Sequence, residues 1–465
     1  MTDTRAVFDD ERMRRFLVDG YSIVKTDLPH SLHDGIYQRL QDLVPRHGAL
    51  GNNLLPLIPE IRQVFDDAAV RGTLTSILGR HYIMHSHRYC HLNRPASEGR
   101  NMHKDSYTEE DKVRHHRCRW AMAFYYPQDT TVDMGPTAVL PASQYYDTLE
   151  CADRRQEVPL CGDAETVVIV HYDLWHRATA NESDRERYML KFLFARLEEP
   201  QSPAWDNEES AWRPPVGGMV DELDEVCRHL WHWNRGSTNG QEMADGRKGL
   251  AELISSLGDE DEVVRLDSAY ALGSFGPPAV PALLEALDDT RQEGSNPAAF
   301  ALAAVGDPAV PALIEALEHE DKTIRACAAY ALGNIPPNGD SSQVVETLTR
   351  ALSDRCEWVR RNAAEALGAI GQPTPETVAA LGKLLSDELG WIRENATRAL
   401  AKIGPDAGAA VPALAAALGK DESRYVRYNA GVALKRIDTD SAREALYEDL
   451  LTSRWCPLTT DESPY

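Results

Sequence analysis

The chain has 465 residues and a formal net charge of -24 at pH 7, and its length predicts two or three domains. So acidic a chain is poorly suited to nucleic-acid backbones or anionic membranes, which attract basic surfaces. No apolar run reaches the roughly 20 residues needed to cross a bilayer, and the charged start MTDTRAVFDDERMRRF is unlike a signal peptide. We therefore expect a cytoplasmic protein, with reduced cysteines, that binds neither nucleic acid nor membrane.

The first half of the chain predicts a helix followed by short strands. Asp9 or Asp10 can cap a helix over residues 11–18, and Gly20 can end it before a strand at residues 21–24. Further segments with strand-like patterns lie at residues 82–92, 119–126, 166–172 and 188–195. Many short strands with irregular connections predict an antiparallel sandwich or barrel. A helix at residues 220–233 is assigned to the same domain, which we place at residues 1–236.

The second half consists of helical repeats. Blocks such as TIRACAAYALGNI and WVRRNAAEALGAIG recur, and second helices such as VPALIEAL lie between them. Their shared leucine stands at Leu272, Leu302, Leu332, Leu367, Leu400 and Leu434. This pattern resembles HEAT repeats, in particular the short HEAT-like repeats of phycobilisome lyases. We predict an all-α HEAT-repeat solenoid at residues 246–450 and a C-terminal tail at residues 451–465.

An arginine recurs seven residues before the repeat leucine, at Arg265, Arg325, Arg360, Arg393 and Arg427. These arginines could form a basic stripe for an acidic partner. The alternative is a ladder of ion pairs inside the solenoid, and their fixed place among many acidic residues favours it.

One set of residues in the first half predicts a metal centre. Non-haem iron oxygenases hold iron(II) with two imidazoles and one carboxylate, which leaves three positions for a keto acid and dioxygen. His103 and Asp105 have the i, i+2 spacing that puts both side chains on one face of a strand. His176, at the end of a later apolar strand folded opposite the first, can be the third ligand. Arg187 begins the next strand and can hold the far carboxylate of 2-oxoglutarate with a bidentate fork.

This region resembles the phytanoyl-CoA dioxygenase (PhyH-like) family of iron(II)- and 2-oxoglutarate-dependent oxygenases. The matching features are FLVDGYSIV, the His-x-Asp pair, MGPTAVLPASQ and HRATANESDRER, over roughly residues 10–200. The resemblance implies a double-stranded β-helix (jelly roll, cupin-like) with flanking helices. It also implies Fe(II), O2 and 2-oxoglutarate as co-substrate, and oxidation of an unactivated C-H bond with release of succinate and CO2. Because related halogenases lack the carboxylate ligand, Asp105 favours hydroxylation or desaturation.

The resemblance also suggests residues around the metal. In addition to Arg187, the 2-oxoglutarate site would include Ser183, Thr179 and Trp120. Thr179 is included because Ala178 stands where relatives often carry a small hydroxyl residue. Trp120 could equally be ordinary core. We expect the substrate pocket to include His85, His87, Tyr107 and Asn181, and the substrate itself to be a small organic molecule.

Other functions remain open at this point. A His-x-His pair on a strand can bind zinc, so His85 and His87 could belong to a hydrolase. The protein could instead be a non-catalytic or protein-recruiting HEAT scaffold, with the solenoid used for partner binding, self-association or structural support. His115 and His116 lie in a charged segment and are expected to be solvated.

Overall fold

The computed structural model describes residues 6–106, 114–152, 156–216, 223–237, 249–288, 296–336 and 339–452. The chain forms two compact units, and the described residues up to 237 lie in the first and those from 249 onward in the second. Among these residues no single helix has the length and hydropathy to span a membrane, although the bent pair Pro297–Val305 and Asp307–Ala316 passes that test when joined.

The first unit contains seven α-helices and eight strands among its described residues. The helices are α1 (Asp10–Asp19), α2 (His30–His47), α3 (Leu54–Leu57), α4 (Ile61–Asp66), α5 (Ala68–Leu78), α6 (Leu149–Ala152) and α7 (Asp224–Asn234). The strands are β1 (Tyr21–Lys25), β2 (Tyr82–Asn93), β3 (Trp120–Tyr125), β4 (Thr137–Val139), β5 (Val158–Pro159), β6 (Thr166–His171), β7 (His176–Ala178) and β8 (Arg187–Arg196).

The predicted start of the chain is confirmed. The Asp9 side chain accepts a hydrogen bond from the backbone N-H of Arg12 and so caps α1. Gly20 ends the helix at φ 78°, a left-handed conformation that costs glycine little. Strand β1 begins at the next residue and pairs with β6.

Two antiparallel sheets form the body of this unit. The larger has the strand order β1-β6-β3-β8-β2, and the smaller has the order β5-β4-β7. Their inner faces meet where the rings of Phe124 on β3 and His176 on β7 lie 5.8 Å apart. This arrangement confirms the predicted cupin-like jelly roll.

The second unit is helical throughout its described residues, as predicted. Its helices are α8 (Leu250–Ser256), α9 (Glu262–Phe275), α10 (Val280–Glu285), α11 (Pro297–Val305), α12 (Val310–Ala316), α13 (Lys322–Gly333), α14 (Ser342–Ala351), α15 (Glu357–Ile370), α16 (Pro375–Leu384), α17 (Gly390–Ile403), α18 (Val411–Lys420), α19 (Arg424–Ile437) and α20 (Asp440–Thr452). All six repeat leucines are buried in one continuous apolar core. Each repeat therefore buries its apolar face against its neighbours.

The recurring arginines form the predicted ladder of ion pairs over three successive repeats. Arg325 bonds Asp354, Arg360 bonds Asp387, and Arg393 bonds Asp421, each with an Nε to Oδ2 distance of 2.8 Å. In each case the acid belongs to the next repeat. The Nη1 group of the same arginines donates to two backbone carbonyls five and six residues earlier. The arginines thus tie successive repeats together.

Candidate metal centre

The structure brings together the three residues proposed as metal ligands. Within the described ranges, His103, Asp105 and His176 each offer one ligand atom, and these atoms all lie within 4.8 Å of one another. Such spacing allows one ion to reach all three. Two imidazoles and one carboxylate form the donor set of the facial iron triad.

The positions of these ligands in the sheet differ from the prediction in two respects. His103 lies outside the named strands and forms an isolated antiparallel bridge with His176. Each of the two residues donates its backbone N-H to the other's carbonyl at 3.0 Å. The prediction that His176 comes from a strand opposite the first ligands is therefore wrong, because the two histidines are hydrogen-bonded neighbours. Paired residues in adjacent strands direct their side chains to the same face, which explains their proximity.

Each histidine is held by a backbone carbonyl. Nδ1 of His103 lies 3.0 Å from the carbonyl of Asn101, and Nδ1 of His176 lies 3.0 Å from that of Leu174. Because a carbonyl only accepts, Nδ1 carries a proton in both rings, and Nε2 is the nitrogen left to bind a metal. Burial lowers the pKa of His176 to about 4, although Asp105 opposes the shift. His176 is therefore neutral, as a metal ligand must be, at pH 7.

Asp105 is paired with a lysine that sequence reasoning missed. The Nζ atom of Lys191 on β8 donates to Oδ2 of Asp105 at 2.8 Å. Burial by itself would raise the pKa of Asp105, but the Lys191 ammonium lowers it to about 2. The carboxylate is therefore ionised at neutral pH. A lysine inside the apolar segment YMLKFLFA was the available signal, because lysine is rarely buried without a partner.

Arg187 lies on the same strand and the same face as Lys191, four residues earlier, and is 1% exposed. Its Nε donates to the carbonyl of Gly135 at 3.0 Å. Its Nη1 is buried and has no hydrogen-bond partner among the described residues. An unpartnered guanidinium nitrogen in a buried site needs an acceptor. A ligand carboxylate would meet that need.

The carbonyl of Gly135 is held in place by close packing. Gly135 has a φ of 67°, and a Cβ added there would lie 2.3 Å from Nδ2 of Asn93. That Asn93 amide donates to the carbonyls of Gly135 and Thr179, both at 3.0 Å. Neither Gly135 nor Asn93 was identified from the sequence as part of this site.

Three residues predicted to contact 2-oxoglutarate or substrate form hydrogen bonds in and around the turn between β7 and β8. Asn181 is 1% exposed, its amide donates to the carbonyls of Asn93 and Arg185, and its Oδ1 accepts from Ser183. The Thr179 hydroxyl donates to the carbonyl of Pro136 at 2.8 Å. These bonds hold the turn between β7, which begins with His176, and β8, which begins with Arg187. That Asn181 lines the substrate pocket stays a prediction.

Trp120 and His85 lie together on the inner side of the larger sheet. Their ring centroids are 5.1 Å apart, and the strand register puts Trp120 on the same face as Phe124 and Lys191. An irregularity in β2 between Met84 and Arg88 interrupts the pairing at the segment that contains His85 and His87. Tyr107, also proposed for the substrate pocket, lies outside the described residues.

The zinc alternative lacks a complete ligand set in the part of the chain that the structure describes. His85 and His87 belong to no group of three potential ligands there. His115 and His116 were expected to be solvated, and this is wrong, because they are 1% and 5% exposed. The backbone N-H of His115 donates to the buried carboxylate of Asp173, which draws the segment inward.

The family comparisons agree with this geometry. A phytanoyl-CoA dioxygenase (PhyH) family model matches residues 39–189. This segment is a PhyH domain. Models of HEAT repeats match residues 280–344, 337–401 and 378–455, and a model of the PBS lyase HEAT-like repeat matches residues 264–289. The PhyH match spans the three candidate ligands and Arg187. No curated protein matched the chain.

Several solved structures are similar to part of the chain. The non-heme alpha ketoglutarate dependent epimerase SnoN from nogalamycin biosynthesis is 16% identical, with 40% of this chain and 82% of that chain covered and a TM-score of 0.35. The carbocyclase SnoK from the same biosynthesis is 15% identical, with 47% and 91% covered and a TM-score of 0.36. EctD from S. alaskensis with 2-oxoglutarate and 5-hydroxyectoine is 15% identical, with 44% and 82% covered and a TM-score of 0.37.

Proposed function

We propose that the first unit is an iron(II)- and 2-oxoglutarate-dependent oxygenase that oxidises an unactivated C-H bond of a small organic substrate. Hydroxylation is the favoured outcome. The observation that carries the proposal is the convergence of His103, Asp105 and His176 within 4.8 Å. It is joined by a buried arginine, Arg187, that has a nitrogen without a partner among the described residues and lies on the same face of β8 as Lys191, the partner of Asp105. The PhyH family match supports it.

The residues of the site have separate roles in this proposal. Nε2 of His103, Nε2 of His176 and one oxygen of Asp105 would hold iron(II) on one side, which leaves the other side for ligands. Nη1 of Arg187 would bind the far carboxylate of 2-oxoglutarate, while its Nε stays on the carbonyl of Gly135.

When bound, iron(II) and 2-oxoglutarate would supply the oxidising chemistry, with dioxygen consumed and succinate and CO2 released. The protein contributes orientation and the exclusion of water. Phe124 and Trp120 provide apolar walls on the inner face of the larger sheet, and both are buried. Asp105 favours hydroxylation or desaturation over halogenation, because it fills the position that a halide would need.

The proposal is tested by anaerobic addition of iron(II) and 2-oxoglutarate to the full-length protein. We expect the weak visible charge-transfer band of the chelate, and its loss in His103→Ala, Asp105→Ala and His176→Ala. His30→Ala, at a half-exposed position on α2, is the matched control and should keep the band. A folded wild-type protein without the band, or a band that survives all three ligand substitutions, refutes the proposal.

We propose that the HEAT unit either presents a protein partner to the oxygenase or supports it structurally. Stacked helices offer extended binding surfaces, and the ladder of ion pairs makes this array well suited to hold one shape. Deleting residues 246–465 separates the two roles. A soluble fragment that still forms the chelate band indicates partner binding, whereas an insoluble fragment indicates structural support.

A further inference from the structure

Each of the three candidate ligands has one polar group that holds it. For the two histidines the group is a backbone carbonyl at 3.0 Å, and for Asp105 it is the Lys191 ammonium at 2.8 Å. We infer that Lys191 is the positioning residue of the Asp105 carboxylate and thereby determines how tightly the site binds a divalent cation. The inference rests on the proposed function, because it assigns a role to a residue of that site.

The hydrogen bonds of Asp105 support this role. In the described part of the chain, Lys191 is the one donor to the Asp105 carboxylate, and it bonds Oδ2. Oδ1 is left without a hydrogen bond from those residues, so it stays available to an ion. The side chains of Asp105 and Lys191 are 18% and 11% exposed. Little water therefore competes for the pair, and the lysine restricts the carboxylate to one orientation.

The lysine extends from an interior strand of the larger sheet. Strand β8 lies between β2 and β3 in the larger sheet, so its backbone is paired on both sides. Lys191 is opposite Phe124 in the register, and the ring of Phe124 lies 5.8 Å from that of His176. Phe124 therefore lies next to both the strand position of Lys191 and the ring of His176. Groups that orient metal ligands are usually held by the fold in this way.

A charged donor has an advantage over a neutral one at this position. Removing an ionised carboxylate from water is costly unless an opposite charge lies close by. The Lys191 ammonium offsets that cost before any cation arrives, so the ligand set is already formed. In the opposite role, the ammonium would compete against the cation for the carboxylate. The two roles predict opposite changes in affinity when the lysine is removed.

The test is a titration of full-length protein with Co(II), followed by calorimetry and by the visible absorption bands of the bound ion. Lys191→Met should weaken Co(II) binding about 10- to 100-fold, the usual cost of removing a group that holds a metal ligand. Lys191→Arg, which keeps the charge and the N-H donors, should recover most of the affinity. Lys25→Met, on β1 of the same sheet and paired with Asp163, is the matched control and should bind like wild type.

Unchanged or tighter Co(II) binding by Lys191→Met overturns the inference. Circular dichroism checks that the variant is folded. If it is not, Lys191→Gln takes its place, with a similar loss expected because its uncharged side chain ends one bond short of the ammonium. Wild-type protein that binds Co(II) and forms the 2-oxoglutarate chelate, while Lys191→Met binds equally well, removes only this inference. Wild-type protein that binds no divalent cation removes the proposed function itself.

Discussion

Substituting Gly135 by alanine should damage the fold and the candidate co-substrate site together. Gly135 has a φ of 67°, and the new Cβ would lie 2.3 Å from Nδ2 of Asn93 and 2.7 Å from the carbonyl oxygen of Thr179. Real Cβ atoms do not approach other atoms so closely, so the Asn93 amide must move. The carbonyl of Gly135, which accepts from Nε of Arg187, must shift as well.

The cost can be worked out from these contacts. A left-handed backbone conformation costs a residue with a Cβ about 1 to 2 kcal/mol. Displacing Asn93 breaks two hydrogen bonds to carbonyls, each worth about 0.5 to 1.5 kcal/mol. Gly135→Ala should therefore lower the free energy of unfolding by about 2 to 5 kcal/mol in total.

Gly51→Ala provides the control within the same unit. Gly51 also has a positive φ, 52°, but no atom lies within 4 Å of its added Cβ. Gly51→Ala should lower the free energy of unfolding only by the cost of the left-handed backbone, about 1 to 2 kcal/mol. Urea denaturation of both variants measures the difference, and titration with 2-oxoglutarate in the presence of iron(II) measures the effect on Arg187.

We expect Gly135→Ala to be clearly less stable than Gly51→Ala and to bind 2-oxoglutarate more weakly. Equal stability of the two variants would show that the packing around Asn93 gives way easily. Loss of stability with unchanged 2-oxoglutarate binding would show that the Gly135 carbonyl does not orient Arg187.

Three further predictions concern other parts of the molecule. Arg187→Lys keeps the charge but loses the planar fork, so 2-oxoglutarate binding should weaken about tenfold or more, and an unchanged titration would contradict this. Arg393→Met removes two hydrogen bonds to Asp421 and should destabilise the solenoid by about 2 to 4 kcal/mol in urea. The exposed Arg427→Met should cost less than about 1 kcal/mol, and equal costs would refute a structural ladder. Since the pKa of His176 falls to about 4 in the fold from about 6.5 in the unfolded chain, metal-free protein should lose stability as the pH falls from 6.5 to 4. His176→Gln should lose less over that window, and an identical loss would contradict the assignment.

Much of the fold and part of the site followed from short-range patterns. The recurrence of leucine, and of arginine seven residues before it in most repeats, predicted both the solenoid and its ion pairs, since a repeated residue meets a repeated environment. The residue types of the candidate ligands and the offset of Arg187 from His176 were also readable. These features depend on spacing along one or two neighbouring segments.

The contacts that join distant segments could not be predicted from the sequence in the same way. Whether His103 and His176 come from facing or neighbouring strands depends on sheet order, and the structure makes them hydrogen-bonded neighbours. Asn181 was predicted for the substrate pocket and Ser183 for the 2-oxoglutarate site, and the structure shows that both also bond within their own turn. Side chains that hydrogen-bond nearby backbone are common in turns, and only the surrounding structure decides between the two uses.

By itself, the sequence determined the two-part architecture, the helical repeats and the kind of ion that the candidate ligands suit, because periodicity and donor type are local properties. The tertiary structure decided that Lys191 meets Asp105 across 86 positions of the chain, that Gly135 holds Arg187, and that His115 and His116 are buried. Each of these contacts joins segments that lie far apart in the sequence. Local sequence patterns do not specify which distant segments meet.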